Sequence, residues 1–373
     1  MNYQLIKDCV QLAQACEQAR RAPAVALDTE FVRTRTYYPQ TGLIQLYDGE
    51  TVSLIDPLAI DDMSAFRDLL LDISVTKFLH AGSEDMEVFL NAFGVMPVPF
   101  IDTQVLAAFL NHPLSTGFAT MVETYSGVVL DKSEARTDWL ARPLTPKQLN
   151  YAAADVWYLL PIARRLIDDI AGTGWLEAAQ DECRLMQQRR AESPDPQEAY
   201  RDIGNAWQLR TRQLACLKLM AAWRLNKARE RDLAVNFVVR EEHLWQVARY
   251  LPGSLGELDS LGLSGSEIRY HGKTLLGFVE QAKALPQAQL PEPAVNLIDM
   301  PGYRNAFKLI KALVQDVAKD NGLSPELIAS RRQINQLLNW HWKLRPFALP
   351  PELASGWRDT LFAGRLHALL AEV

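Results

Sequence analysis

Three short apolar runs, "AVALDTEF" (24–31), "GLIQLYDG" (42–49) and "TVSLIDP" (51–57), are followed by a change of rhythm, and this change limits the possible folds more than any other feature of the chain. Apolar, turn-bounded runs of this length read as strands. The second and third are joined only by "DGE", a link of turn formers that predicts an antiparallel hairpin. Beyond residue 60 strands alternate with helices: "MSAFRDLLLD" is helical, "TKFLHAG" a strand, "EDMEVFLNAF" a helix, and "PFIDTQVLAAFL" a strand running into a helix. Alternation of this kind adds parallel strands to a sheet. A meander followed by α/β units predicts a mixed sheet covered by helices. A long helix is expected over 145–168, with Thr145 as N-cap and Pro146 at its first position.

The remainder is of another class. The stretch "AESPDPQE" (191–198) has linker composition, and the pattern beyond it is almost wholly helical, with a second break at "LPQAQLPEPAVNL" (285–297). The two downstream segments are weakly alike, as in a doubled helical domain. A chain of 373 residues exceeds one ordinary core. We divide it into 1–192, 205–287 and 295–373.

The first strand raises a chemical question. Residues two apart on a strand share a face, so Asp28 and Glu30 point the same way. Two carboxylates one pleat apart repel unless a cation lies between them or water reaches both. The run alone equally fits a strand end with solvated acids. Further acids stand at the edges of elements: Asp85 and Asp102 at strand-to-helix junctions, and Asp155 inside the long helix. Capping a helix explains Asp102 and serves as one reading of Asp85. Asp155 follows three alanines, which allow close approach to a sheet, and Tyr151 lies one helical turn before it on the same face. Two-metal phosphodiester hydrolysis needs such a set. Two hard cations about 3.5–4 Å apart prefer carboxylate oxygens, which favours Mg²⁺ or Mn²⁺.

"LDTEF", "HAGSEDMEVF" and "YAAADVWYL" resemble the three motifs of the DEDD exonucleases, and the four-residue spacing from Tyr151 to Asp155 resembles the DEDDy branch. "RTRTYYPQTGLIQLYDG" and "DKSEARTDWLARPLTPKQLNYAAADVWYLLPI" are similar to the bacterial ribonuclease D family, and "LPGSLGELDSLGLSGSEIRYHGKTLL" to its HRDC domains. The resemblance covers essentially the whole chain and is weakest after about residue 300. It implies a ribonuclease H-like exonuclease domain followed by two all-α HRDC-type domains. It further implies 3′-to-5′ trimming of RNA, tRNA precursors with 3′ extensions above all, with two divalent metal ions as cofactors. By motif, Asp28, Glu30, Asp85 and Asp155 are then metal ligands, with Asp28 bridging and Asp85 acting partly through water, and Tyr151 positions the attacking water. A proofreading-type DNA exonuclease and a non-catalytic nucleic-acid-binding protein are the alternatives.

Candidate RNA contacts follow from charge and aromaticity. Arg33, Arg35, Tyr37 and Tyr38 interleave cations with rings after the first strand, a pattern that suits a single strand and equally a packed loop. Phe31 is a candidate wedge or a core residue, and His80 a structural or substrate-side histidine. Lys132, Arg136 and Trp139 precede the long helix. Between Tyr200 and Tyr250 ten Lys and Arg face five Asp and Glu in a chain of net charge −6, which brings Arg229 and Arg231 into consideration. The four cysteines form no CxxC pair and read as reduced packing thiols, with Cys9 and Cys16 on a helical N-terminal segment. Without a signal-peptide pattern or a membrane-length apolar stretch, the expectation is a cytoplasmic protein with no membrane association and no obligate protein partner.

Overall fold

The structure, a computed structural model, describes residues 2–345, 347 and 349–373. Packing divides the chain into two compact units. The first contains residues 1–32, 39–192 and 302–373; the second contains residues 33–38 and 193–301.

The first unit is built on a six-stranded mixed sheet of order β1-β4-β3-β2-β5-β6. Its elements are β1 (Tyr3–Ile6), α1 (Cys9–Ala19), β2 (Ala24–Val32), β3 (Gln40–Tyr47), β4 (Val52–Ile55), α2 (Ser64–Leu71), β5 (Thr76–Leu79), α3 (Ser83–Phe93), β6 (Phe100–Asp102), α4 (Thr103–Phe109), α5 (Phe118–Ser126), α6 (Pro146–Ala171) and α7 (Leu176–Ala191). The expected meander is present: β2 pairs antiparallel with β3, and β3 with β4. The side chain of Asp48 accepts hydrogen bonds from the Glu50 and Thr51 amides and so closes the hairpin turn. As the alternation predicted, β5 pairs parallel with β2, and β6 with β5.

Two expectations are corrected at the N-terminus. The segment read as helical begins with strand β1, which pairs parallel with β4. Cys9 is exposed at the start of α1, so only Cys16 of that pair is core. All four cysteines are free thiols.

Helix α6 lies across β2, β3 and β4. Ala152 and Ala153 are fully buried, and their small side chains permit this close approach. Its start is fixed by a capping box: Thr145 Oγ1 accepts from the Gln148 amide at 3.1 Å, and Gln148 Oε1 accepts from the Thr145 amide at 3.0 Å.

Residues 302–373 complete the first unit with α13 (Tyr303–Asn321) and four shorter helices that follow α7 and α13 in sequence. The second unit is helical, with α8 (Thr211–Arg231), α9 (Val235–Val238), α10 (Glu241–Tyr250), α11 (Leu255–Ser260) and α12 (Gly265–Ala284) around a core that includes Leu214, Leu217, Leu244, Leu258 and Leu275. In the first unit α14 (Pro325–Ile328), α15 (Arg331–His341), α16 (Gly356–Phe362) and α17 (Arg365–Leu370) follow α13. Helix α16 packs on α7, and the Trp357 ring meets Phe109 at 5.2 Å. Among the described residues no helix is long and apolar enough to cross a membrane.

Candidate active site

Strand β2 presents its acids as the pleat requires. Asp28 stands opposite Gln45 on β3, and a register shift falls between Glu30 and Phe31, directly after the second acid. Such a bulge bends the strand and redirects the side chains that follow. Helix α6 supplies Tyr151 and Asp155 from one face. The result is a cavity of about 210 Å³ lined by Asp28, Thr29, Glu30, His80, Phe118, Tyr151, Asp155 and Leu159. One carboxylate oxygen from each of Asp28, Glu30 and Asp155 lies within 4.8 Å of the others.

Asp85 belongs to the first turn of α3, whose N-cap position is Gly82, so it is not the cap. It is buried and accepts a hydrogen bond from Thr29 Oγ1. Asp102 does cap a helix: it accepts from the Gln104 amide at 2.8 Å and also from the amides of Ala81 and Gly82. These last two bonds pin the strand-to-helix turn that delivers Asp85.

Crowded acids in a desolvated place hold their protons. Desolvation, then the neighbouring acids Asp85, Asp155 and Glu30, pushes Asp28 well above the ordinary carboxylate range. Desolvation, then Asp155 and Asp85, raises Glu30 to about 9 against the opposing hydrogen bond from Gln45. Desolvation raises Asp155 to about 8, and it raises Asp85 to about 6 against the Thr29 bond. The Tyr151 phenol is also raised, first by desolvation and then by Asp155, Glu30 and Asp28. A cation among the acids would relieve the repulsions on Asp28, Glu30 and Tyr151. The all-oxygen donor set fits hard divalent ions and offers no soft ligand.

The other candidates are placed as follows. His80 lines the cavity, but both ring nitrogens are engaged, Nδ1 with Thr103 Oγ1 and Nε2 with the Thr116 carbonyl, each at 2.9 Å. Phe31 is half-buried beside the bulge. Lys132 and Arg136 are exposed in the loop before α6. Trp139 is a correction: it is 1% exposed, so it is core and unavailable to a substrate backbone. Arg33, Arg35, Tyr37, Tyr38, Arg229 and Arg231 belong to the second unit. There Arg229 donates to the Tyr37 hydroxyl at 3.2 Å, to Ser193 Oγ and to the Pro194 carbonyl. Arg35 lies over the Phe237 ring at 5.2 Å, and the Tyr38 amide donates to Asp232. The packed-loop reading therefore describes this segment, and Tyr37 and Arg229 are tied into it. Arg231 is exposed.

Sequence reasoning passed over Gln45. It is fully buried, and its Nε2 donates to Glu30 Oε1 at 3.4 Å. A lone amide inside the apolar run "GLIQLY" was the available signal.

Comparison with known proteins sets this geometry in a family. Residues 3–171 match the 3′-5′ exonuclease domain family, 213–279 the HRDC domain, and 301–366 the C-terminal HRDC domain of ribonuclease D. Ribonuclease D of Escherichia coli K12 is 69% identical over 100% of this chain and 99% of its own length. The chain belongs to the ribonuclease D family. That membership makes it a hydrolase, a 3′-5′ exoribonuclease. Ribonuclease D of Haemophilus influenzae is 42% identical over 99% of this chain and 93% of its own. The crystal structure of E. coli RNase D, described as an exoribonuclease involved in structured RNA processing, matches with a TM-score of 0.98 over 100% of this chain and 99% of that one. The expected fold, a ribonuclease H-like exonuclease with helical HRDC-type domains, is the observed one.

Proposed function

We propose that the cavity trims structured RNAs, tRNA precursors with 3′ extensions above all, releasing nucleoside 5′-monophosphates with the help of two divalent cations. The observation that carries this is the convergence of Asp28, Glu30 and Asp155 within 4.8 Å, with Tyr151 in the same cavity. Asp28, Glu30 and Asp155 would hold Mg²⁺ or Mn²⁺ directly, and Asp85 through water. When bound, such ions neutralise the phosphate and acidify the attacking water. Surrounded by acids, Tyr151 keeps its proton, so it orients the water by hydrogen bonding and does not abstract from it. The attack displaces the 3′-oxygen of the preceding nucleotide, and the terminal residue leaves as a 5′-monophosphate.

Recognition of the RNA body falls in this reading to the second unit. Its surface carries exposed Tyr270 with the Arg269 guanidinium 4.9 Å from the ring, and a Trp223–His271 contact at 5.2 Å. The positive charges of Lys227 and Arg231 act on His271 and help hold it below its ordinary value, after desolvation. Rings beside cations suit stacking on bases and contact with phosphates.

The test uses end-labelled RNA and DNA of one sequence with Mg²⁺, Mn²⁺ or EDTA. Stepwise 3′ shortening of RNA in either metal and none in EDTA is the expected result. Equal degradation of DNA, or activity in EDTA, would overturn the proposal.

A further inference from the structure

The segment between Thr137 and Thr145 is fastened at both ends, and its middle lies against Tyr151. At one end Gln148 Nε2 donates to Thr137 Oγ1 at 2.9 Å. At the other the Arg142 guanidinium grips Asp56, with Nε to Oδ2 at 2.9 Å and Nη2 to Oδ1 at 2.8 Å. The same group donates to the Gly42 carbonyl at 2.6 Å and to the Trp139 carbonyl at 2.8 Å. Asp56 is 3% exposed; although desolvation alone would raise it, the Arg142 bonds keep it below the ordinary carboxylate range. Trp139 is thereby pressed onto β3, where only glycine fits: a Cβ at Gly42 would lie 2.5 Å from the Trp139 carbonyl oxygen. The Trp139 ring meets the Tyr151 ring at 6.1 Å with 40° between the planes.

The indole is an uneconomical core filler, because among the described residues its Nε1 is buried without a hydrogen-bond partner. An unsatisfied buried donor costs about 1–3 kcal/mol, which a phenylalanine would avoid. What the indole supplies is a large flat wall beside the tyrosine. We infer that Trp139, held by the Arg142–Asp56–Gly42 latch, is a positioning residue that fixes the Tyr151 hydroxyl for the reaction. The inference rests on the reading of Tyr151 as the water-orienting group. A displacement of this kind affects the reaction rate and leaves the carboxylate cage alone.

A double-mutant cycle tests it on the full-length protein. Single-turnover trimming of an RNA oligonucleotide is measured for Trp139→Phe, Tyr151→Phe and the double variant, with Mn²⁺ binding followed by calorimetry. Trp139→Phe is expected to slow trimming by about ten- to hundredfold with Mn²⁺ affinity unchanged. The double variant should be no slower than Tyr151→Phe alone, because a wall has nothing to position once the hydroxyl is gone. Arg142→Lys, which keeps a charge beside Asp56 but cannot reach both carbonyls, should reproduce the Trp139→Phe defect. Multiplying defects in the double variant, or Mn²⁺ binding lost together with rate in both Trp139→Phe and Arg142→Lys, would overturn the inference. Full activity in Tyr151→Phe would overturn the reading of Tyr151 itself, and the inference with it.

Discussion

Arg358 donates through Nη1 to the carboxylate of Glu182 at 2.5 Å, joining two residues 176 positions apart in the buried contact between α16 and α7. The other guanidinium nitrogens of Arg358 donate to the carbonyls of Ile328 and Leu327, and Trp357 Nε1 donates to the same carboxylate at 3.2 Å. Glu182 is desolvated, yet Arg358 and then Arg189 hold it below the ordinary carboxylate range. Deleting one side of a buried pair costs up to about 3–5 kcal/mol when the other charge is left alone, and Arg189, which stays 2.6 Å from Glu182, offsets part of that. Arg358→Ala should therefore lower unfolding free energy by about 2–4 kcal/mol in urea titration. A loss under about 1 kcal/mol would show that water takes over the role of the arginine.

The acid cage makes a more selective prediction. Asp28→Asn keeps shape and makes permanently neutral a group that desolvation and its acidic neighbours already push towards the neutral form. In the absence of metal the variant should therefore be about as stable as the wild type. With Mg²⁺ or Mn²⁺ supplied, it should lose nearly all hydrolysis while still binding RNA. A folded variant that keeps a large share of the activity would contradict the proposed ligand role.

Desolvation of the cage, with repulsion added at Glu30, predicts the sign of a pH effect. Glu30 and Asp155 hold their protons to about 9 and about 8 in the folded chain, against ordinary values of 4.5 and 3.8. Between those limits the folded protein binds more protons than the unfolded one. Stability from these groups is therefore full below about pH 4 and declines as pH rises towards 9. In EDTA the melting temperature should fall from pH 5 to pH 9, and less steeply for Asp155→Asn. Adding Mn²⁺ at pH 8 should restore the wild type, since the cation binds the deprotonated cage. Parallel slopes for the two proteins would remove the cage as the cause.

Local signals carried the readable part of the fold. The hairpin between β3 and β4, the cap of α6 and the shared face of Asp28 and Glu30 each depend on residues within a few positions of one another. Strand β1 did not stand out, because four residues show only two side chains per face and its partner β4 lies some 50 positions away. The loop at 33–38 left two readings open for a physical reason. An arginine beside a tyrosine can bind a phosphate and a base, or can pack on a neighbouring ring, and the sequence is the same in both cases. Trp139 was missed as core for a related reason: the bonds that hold its segment inward include the pairing of Arg142 with Asp56, 86 residues earlier.

Cutting the chain near residue 198 is the obvious way to test whether the helical tail grips RNA, but it would also remove residues 302–373, which pack with the exonuclease fold in one unit. The loss of Arg358 from Glu182 and of α16 from α7 would then confound every binding measurement. Two arginines of α8 offer a cleaner contrast. Arg229 is occupied by Tyr37, Ser193 and Pro194, whereas the Arg231 side chain is 65% exposed and 3.9 Å from Glu230. If the second unit meets phosphates through its exposed cations, Arg231→Ala should flatten the slope of log K against log salt by ~0.7–0.9 for a tRNA precursor with a 3′ extension. Arg229→Ala should leave the slope unchanged and lower stability instead, because it releases the loop at 33–38. Tyr270→Ala, which removes an exposed ring and no charge, should weaken binding by about tenfold at every salt concentration without altering the slope. The titrations are run in EDTA, so that no substrate is cut. Identical affinities and slopes for wild type, Arg231→Ala and Tyr270→Ala would show that this face does not touch RNA, leaving its cations as a solvated surface.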